Sequence, residues 1–327
     1  LDRPSGNLYP DLLRFSDQAD RGDSYTFCPV DGDGAMQRPS GPVTVKRVRD
    51  RCGQRLHLVQ TYRLPLRLNP GRESRSDEAV DVPILARLEL SGEAGHVRVQ
   101  IGIDNQAEDH RLQVLLPLGA PVSHGVYAGH FETVHRPTSV DPGGEDWIEQ
   151  PQPQQPMRGL ILVGDGQRGL GVAARGLYEG SVSADGVIAV TLLRAFGWLS
   201  RDDLSSRRGG AGPQLPTPGG QCLGRREFEL LLFPWDGDEH AGTQTAEAFQ
   251  TGLRAAGTSL HGGTLPHQGA FLSIEGRGFC LTAVKTAEDG DGLIVRGYNT
   301  GAEPTQITIA GIRPIQRAIL SRLDEAP

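Results

Sequence analysis

The chain has 327 residues, of which 37% are hydrophobic and 22% charged, and its formal net charge at pH 7 is −7. This composition is typical of a globular protein and argues against a general nucleic-acid-binding protein, whose phosphate contacts need a basic face. No apolar run approaches the ~20 residues that a membrane-spanning helix needs.

Alternating apolar residues predict β-strands throughout the first half of the chain. Residues 62–68, 96–104 and 112–118 each place every second residue on one apolar face. Pro65 lies on the opposite phase and indicates an edge position or a bulge. One buried face per strand is what an antiparallel sandwich requires.

The second half continues the strand pattern after an interruption. Residues 137–158 are rich in Pro, Gln and Gly and predict a long mobile loop, with Trp147 as a contact point. Residues 243–253 form the only convincing helical pattern. Apolar runs predict further strands at residues 187–196, 226–235, 279–285, 292–299 and 305–311, with a hairpin turn at 287–292.

A long loop follows the strand at 187–196. It carries five glycines and three prolines between Gly209 and Gly220, which predicts neither helix nor ladder in that stretch. Because the loop has little apolar content, we expect it to be mobile unless a partner orders it. Its charged residues include Arg207 and Arg208, and loops held on buried strands often carry function.

The cysteines and the acidic turns give weak signals. Cys28, Cys52, Cys222 and Cys280 contain no C-x-x-C pair, which predicts reduced thiols in a cytoplasmic protein. The D-x-D-G sequences at residues 30–36 and 288–292 lack the glutamate that a calcium loop needs at its twelfth position, so turn chemistry explains both.

The histidines match no helical metal motif, although His124, His130 and His135 could converge from strands, which leaves a metal site open. No nucleophile elbow, phosphate loop or dinucleotide fingerprint is present. The sequence thus offers no self-contained catalytic constellation.

Four blocks of sequence carry a family resemblance. Together they are similar to the C-terminal half of α-mannosidases of glycoside hydrolase family 38, closest to the bacterial branch that includes mannosylglycerate hydrolases. The blocks occur in the family's order and are DLLRFSDQADRGDSYTFCP (11–29), NQAEDHRLQVLLPLG (105–119), TLLRAFGWLSRDDLSSRRGGAGPQLPTPGGQCLGRREFELLLFP (191–234) and VKTAEDGDGLIVRGYN (284–299).

The resemblance implies an all-β fold in two parts. Residues 1–258 would form a large antiparallel sandwich, the supersandwich of galactose-mutarotase-like proteins. Residues 264–327 would form a smaller C-terminal β-sandwich unit, truncated at its end.

The resemblance also implies a parent enzyme that performs a zinc-dependent, retaining hydrolysis of α-mannosides in the bacterial cytoplasm. Its nucleophile, acid/base carboxylate and zinc ligands would lie in an N-terminal α/β barrel, and nothing in this chain matches those motifs. We therefore expect no catalytic and no metal-ligating residue here, and no activity from this fragment alone.

The family's substrate contacts map onto two places in this chain. The tyrosine of the family's Gly-x-Tyr-x-Phe stretch contacts substrate, and Tyr25 in GDSYTF occupies that place. An arginine in the family's Arg-Gly loop does likewise, and both Arg207 and Arg208 fit. Asp23 is expected to orient Tyr25 or the loop. These residues would contact a mannose-containing saccharide as parts of this fragment pack on the barrel.

Two other readings stay open at this point. One is a carbohydrate-binding or structural β-sandwich domain without a catalytic role. The other is an epimerase of mutarotase type, which needs a His and a Glu in one cleft; the candidate histidines are His96, His110, His124, His130 and His135. A homo-oligomer is compatible with either reading.

Overall fold

The computed structural model describes residues 2, 5–51, 53–90, 95–264 and 266–326. Leu1, Cys52 and Pro327 lie outside the described residues, so the predicted thiol state of Cys52 stays a prediction. Cys28, Cys222 and Cys280 are free cysteines, as predicted. Among the described residues, no helix is long and apolar enough to cross a membrane.

The fold is built almost entirely from strands. Strand makes up 42% of the structure and helix 5%, which confirms the all-β class. The elements are β1 (Arg14–Ala19), β2 (Thr44–Asp50), β3 (Gly53–Pro65), β4 (Ala79–Leu90), β5 (Val97–Asn105), β6 (His110–Pro117), β7 (His124–Ala128), β8 (Thr133–Pro137), β9 (Gln155–Pro156), β10 (Leu160–Gly164), β11 (Gly169–Arg175), β12 (Glu179–Val182), β13 (Val187–Arg194), β14 (Gly224–Pro234), α1 (Glu239–Thr251), β15 (Leu272–Glu275), β16 (Phe279–Thr286), β17 (Leu293–Asn299) and β18 (Thr308–Gly311).

Two large antiparallel sheets form the sandwich. One has nine strands in the order β2-β3-β4-β5-β14-β11-β10-β7-β8, and the other has five in the order β1-β6-β13-β12-β9. Their facing sides bury alternate residues, for example Phe15, Ile84, Ile101 and Leu116. The period-2 pattern read from the sequence marks the buried face of β5 correctly. For β6 the expectation of one buried face is wrong, because all eight of its residues are buried.

Pro65 ends β3 at a place where that strand is an edge. β2 pairs with β3 only from Gly53 to Val59, so the end of β3 at Pro65 has β4 as its ladder partner. A proline there removes no ladder hydrogen bond on the open side. This confirms the edge interpretation of Pro65.

The helix starts four residues before its predicted position. The side chain of Asp238 accepts hydrogen bonds from the amides of His240 and Ala241, and this N-cap sets the start of α1 at Glu239. Gly252, at φ 64°, ends the helix. The sequence pattern missed the first turn because its residues carry little apolar periodicity.

The C-terminal strands form two small antiparallel pairs, β16 with β17 and β15 with β18. Residues 287–292 connect β16 to β17, and the amide of Ala287 donates to the carbonyl of Gly292 at 3.1 Å. This confirms the predicted hairpin. The domain boundary between residues 258 and 264 stays a prediction.

Two loops contain more structure than predicted. Pro218–Gln221 forms a 3₁₀ turn, and isolated bridges join Arg207 to Glu149 and Trp198 to Pro216. The prediction of neither helix nor ladder in this loop is therefore wrong at these points. Within 137–158, residues 155–156 form β9 and pair with β12, so that loop is shorter than predicted.

Candidate functional site

A tight turn follows β1 and is held from inside by Asp20. Its Oδ1 accepts the amides of Gly22 at 2.8 Å and Cys28 at 3.1 Å, and its Oδ2 accepts Nε of Arg194 at 2.6 Å. Residue 22 must be glycine in this turn, because a Cβ there would lie 2.1 Å from the carbonyl oxygen of Thr26. The backbone from residue 20 to 28 is thus fixed by hydrogen bonds and by close packing.

Asp23 lies in the middle of this turn and has no exposed surface. Its carboxylate accepts the amides of Tyr25 and Thr26, both at 3.0 Å, and the amide of Arg201 at 2.7 Å. Nη2 of Arg207 lies 2.5 Å from its Oδ2. Burial disfavours the charged carboxylate, but the hydrogen bonds, that of Arg207 foremost, outweigh burial and hold the pKa of Asp23 below its ordinary value.

Asp23 and Arg207 therefore form a buried ion pair, which we call the clamp. Arg207 is 6% exposed and uses every nitrogen of its guanidinium. Besides Asp23, it donates to Oγ1 of Thr26 at 2.5 Å and to the carbonyls of Arg201 at 2.9 Å and Gly209 at 3.2 Å. This arrangement leaves Arg207 no donor for a ligand.

Arg208, the next residue, is exposed. Its amide donates to the carbonyl of Ile148 at 2.7 Å, and its Nη2 donates to the carbonyl of Glu145. Of the two candidate arginines, Arg208 alone has guanidinium nitrogens at the surface for another molecule. The sequence could not decide which of the two arginines is exposed, because they are adjacent and chemically identical.

The segment around Trp147 is attached to the same framework. Oγ1 of Thr26 donates to Oε1 of Glu149 at 2.8 Å, and the amide of Gln150 donates to the carbonyl of Ser206 at 2.9 Å. Trp147 itself is 50% exposed. Both loops that were expected to have few partners are thus bound to the turn after β1 through polar groups rather than through apolar burial.

Tyr25 is the only exposed residue between residues 20 and 28, with 57% of its surface accessible. The neighbouring Ser24 is anchored by its hydroxyl, which donates to the carbonyl of Leu199 at 2.6 Å. Tyr25 and Arg208 follow closely on the two members of the clamp, Asp23 and Arg207. A phenol and a guanidinium are thus exposed close in sequence to the buried clamp, and their assignment as substrate-binding residues stays a prediction.

The sequence missed several residues that build this support. Arg194, at the end of β13, donates to the carbonyls of Asp23 and Thr26 as well as to Asp20. A charged residue at the end of a buried strand was a usable signal for Arg194. Thr26 and Glu149 gave no signal, since nothing in their local sequence indicates contacts this distant.

The histidines are spread over unrelated surroundings. His110 is buried, with Nδ1 2.5 Å from Oδ2 of Asp17 and Nε2 3.1 Å from Oδ1 of Asn105. His96 and His130 are exposed. The rings of His124 and His135 stack with centroids 5.3 Å apart. The described part of the chain holds no group of three or more His, Cys, Asp or Glu side chains placed to bind a metal ion.

Among the residues that the structure describes, His135 contacts a glutamate, with Nε2 2.8 Å from Oε1 of Glu239. The other carboxylate oxygen of Glu239 accepts the hydroxyl of Thr133 at 2.6 Å. Mutarotation takes a proton from the anomeric hydroxyl and gives one to the ring oxygen, so its acid and base must each reach a sugar atom. In this structure the two side chains are hydrogen-bonded to each other, and the mutarotase reading stays a prediction.

Comparisons with known proteins agree with the sequence blocks. Residues 278–327 match the family model described as "Glycosyl hydrolases family 38 C-terminal beta sandwich domain". The chain is 28% identical over 335 residues to a protein of Halalkalibacterium halodurans named "Putative mannosylglycerate hydrolase", covering 97% of this chain and 36% of that protein.

Two solved structures from Enterococcus faecalis are also similar. An α-mannosidase matches with a TM-score of 0.83 and 27% identity, covering 94% of this chain and 35% of its own. A protein in glycosyl hydrolase family 38 matches with a TM-score of 0.81 and 26% identity, covering 94% of this chain and 36% of its own. The chain thus spans about a third of the length of these relatives. These findings confirm its resemblance to the C-terminal β region of family 38 glycoside hydrolases.

Proposed function

We propose that this chain, as part of a family 38 glycoside hydrolase, packs on an N-terminal catalytic barrel and completes the substrate pocket of a retaining α-mannosidase. The observation that carries the proposal is the rigid turn after β1, in which residues 20–28 are held in place and Tyr25 alone is exposed. A fold that only needed a strand connection would not require a buried ion pair and a crowded glycine to fix an exposed tyrosine.

The chemical groups of the hydrolysis are proposed to come from the barrel. Retaining glycosidases use one carboxylate as nucleophile and a second as acid/base. The parent enzyme would also use zinc, which acts as a Lewis acid and a template for sugar hydroxyls. The described residues of this chain offer no donor set that fits zinc, so its ligands are proposed to lie in the barrel.

This chain would contribute recognition. The phenol of Tyr25 can donate and accept a hydrogen bond, and the free nitrogens of Arg208 only donate. Neither group competes as a nucleophile at neutral pH. A mannose-containing saccharide supplies hydroxyl acceptors for both groups. If the substrate is a mannosylglycerate, as the name of the Halalkalibacterium relative says for that protein, the glycerate carboxylate is a natural partner for Arg208.

The proposal is tested in the longer parent protein by the variants Tyr25→Phe and Arg208→Ala. A charge-assisted hydrogen bond contributes ~1.5–3 kcal/mol, so loss of the Arg208 side chain should lower kcat/KM about 10- to 150-fold if that bond forms in the transition state. Arg225→Ala is the matched control, because Arg225 is an exposed arginine of β14 paired only with Glu227.

If both site variants keep the full kcat/KM of the parent protein, Tyr25 and Arg208 do not contact substrate. The chain would then be a carbohydrate-binding or structural domain, the alternative left open by the sequence. Glycan binding by this chain alone, at Tyr25, would favour that alternative. The bacterial cytoplasmic location and the oligomeric state stay predictions.

A further inference from the structure

A second groove lies away from the clamp. It is formed by Asp2, Ser5, Asn7 and Tyr9, by the turn between β10 and β11, and by the connection from β14 into α1. Its volume is about 530 Å³, within the usual range of small-molecule sites. Tyr9 precedes β1 and Tyr25 follows it, so the groove and the candidate substrate site lie towards opposite ends of this six-residue strand.

Three aromatic residues line the groove. Phe233 is buried, and the partly exposed rings of Tyr9 and Trp235 are both fixed in place. Trp235 packs against Gly164 and Gly169, where an added Cβ would lie 3.3 Å from Cζ3 and 3.2 Å from Cε3 of the indole. Its Nε1 donates to the carbonyl of Asp238 at 3.0 Å. The hydroxyl of Tyr9 donates to the carbonyl of Gly169 at 2.8 Å, and burial raises the pKa of Tyr9, so it stays a neutral donor.

Because the polar atoms of both rings are already satisfied inside the protein, what the rings offer a ligand is apolar aromatic surface. Each ring is only partly buried. An aromatic face carries a partial negative charge and attracts the weakly positive C–H bonds of an aliphatic ring laid against it. Rings held in one orientation lose little entropy when a ligand binds.

The rim of the groove adds neutral hydrogen-bonding groups. The side chains of Asn7 and Gln167 bring amides, and the hydroxyl of Thr245, which donates to the carbonyl of Ala241, can accept a hydrogen bond. Gln167 sits at the tip of a turn that Asp165 fixes by accepting the amides of Gln167 at 2.8 Å and Arg168 at 2.7 Å. A pyranose has both kinds of surface that the groove presents, an apolar C–H face and a circle of hydroxyls.

The charges of the groove disfavour other small ligands. Asp2 and Asp236 contribute carboxylates, whereas the guanidinium of Arg168 is already paired with Asp165 at 3.5 Å. Among the described lining residues, the carboxylates of Asp2 and Asp236 disfavour an anionic ligand. A small organic cation would use the aromatic rings and the carboxylates, but it would leave the amides of Asn7 and Gln167 without a role.

We propose that this groove is a second carbohydrate-binding site, which takes a neutral mono- or disaccharide and acts independently of the site at Tyr25. Its function would be to hold a saccharide on the surface away from the candidate catalytic pocket. The proposal does not depend on the parent protein being a mannosidase.

The test uses the 327-residue chain and two neutral probes, mannobiose and maltose, in isothermal titration calorimetry and saturation-transfer difference NMR. We expect one class of site with a millimolar Kd for at least one probe. Trp235→Leu should weaken binding at least about ten-fold, which corresponds to the loss of a stacking contact. Trp235→Phe keeps an aromatic ring and should restore most of the binding, while Gln167→Ala should weaken it about three-fold or more.

Arg225→Ala is the control and should leave the Kd unchanged, because Arg225 is exposed and does not line the groove. Far-UV circular dichroism and Tm of each variant show whether it folds; Gln167→Ala, on an exposed turn, tests the proposal even if Trp235→Leu does not fold. The absence of saturable binding of both disaccharides, tighter binding of tetramethylammonium or inorganic phosphate than of either sugar, or loss of binding in Arg225→Ala would each overturn the proposal. Hydrolytic activity of the parent protein has no bearing on these outcomes.

Discussion

Removing Arg207 should destabilise the protein far more than removing its neighbour Arg208. Arg207→Ala leaves the carboxylate of Asp23 buried without its cation, and breaking a buried ion pair by deleting one partner costs about 3–5 kcal/mol. Asp23 keeps three backbone amide donors, from Tyr25, Thr26 and Arg201. We therefore expect the lower end of that range, about 3 kcal/mol.

Arg208→Ala removes an exposed side chain, and such substitutions change stability by about 0.5 kcal/mol or less. At about 2 °C or more per kcal/mol for a large domain, the Tm of Arg207→Ala should fall by about 6 °C or more, and that of Arg208→Ala by about 1 °C. The two variants remove the same side chain at adjacent positions, so each is the other's control.

The assay is thermal and urea denaturation of the 327-residue chain, with the double variant Asp23→Asn/Arg207→Ala completing a mutant cycle. Replacing the carboxylate by a neutral amide removes the unpaired charge, so the double variant should recover part of the stability that Arg207→Ala loses. Equal Tm values for Arg207→Ala and Arg208→Ala, or no recovery in the double variant, would refute the assignment of Asp23 and Arg207 as a buried pair.

Three further predictions follow from the same turn and from the candidate function. The pKa of Asp23 is lowered in the folded state, so its ionisation contributes stability that is present above the unfolded value of ~3.9 and is lost as pH falls through the lower folded pKa. The urea midpoint, measured at descending pH below about 4, should therefore fall less steeply for Asp23→Asn than for the unmodified chain. Parallel curves would contradict this. Gly22→Ala should destabilise the chain by about 2 kcal/mol or more through overpacking. The control is Gly219→Ala, which should cost less than about 1 kcal/mol because an added Cβ there meets no atom within 4 Å. Similar Tm values for the two variants would show that the turn can relax. The chain alone should not hydrolyse an aryl α-mannoside at any zinc concentration, and zinc-stimulated turnover that co-purifies with the protein would disprove that expectation.

The fold could be predicted where short-range pattern decides structure. Residues 96–104 alternate so regularly that β5 and its buried face follow from sequence alone. The sequence pattern predicted the start of α1 four residues too far along the chain, because a single capping residue, Asp238, decides where the helix begins. The 3₁₀ turn at Pro218–Gln221 was missed because glycine and proline predict the absence of long helices but permit a single tight turn.

The candidate site could be predicted only in part. The resemblance of GDSYTF pointed to Tyr25 and Asp23, and the double arginine pointed to Arg207 and Arg208. Which arginine enters the interior depends on the path of the loop across the sheet, and local sequence does not encode that path. Arg194 and Glu149 reach the turn from 168 and 123 residues away, and a single sequence carries no signal for contacts of that range.

The clamp also has a consequence for when the site forms. Asp23 and Arg207 are 184 residues apart in the chain. The strands that precede them, β1 and β13, lie on either side of β6 in the five-stranded sheet, and both pair with it. Contacts of such long range close late, because the entropy of the intervening chain is lost first. A chain in which β1, β6 and β13 have not yet paired is therefore expected to lack the clamp, and with it the fixed backbone positions next to Tyr25 and Arg208.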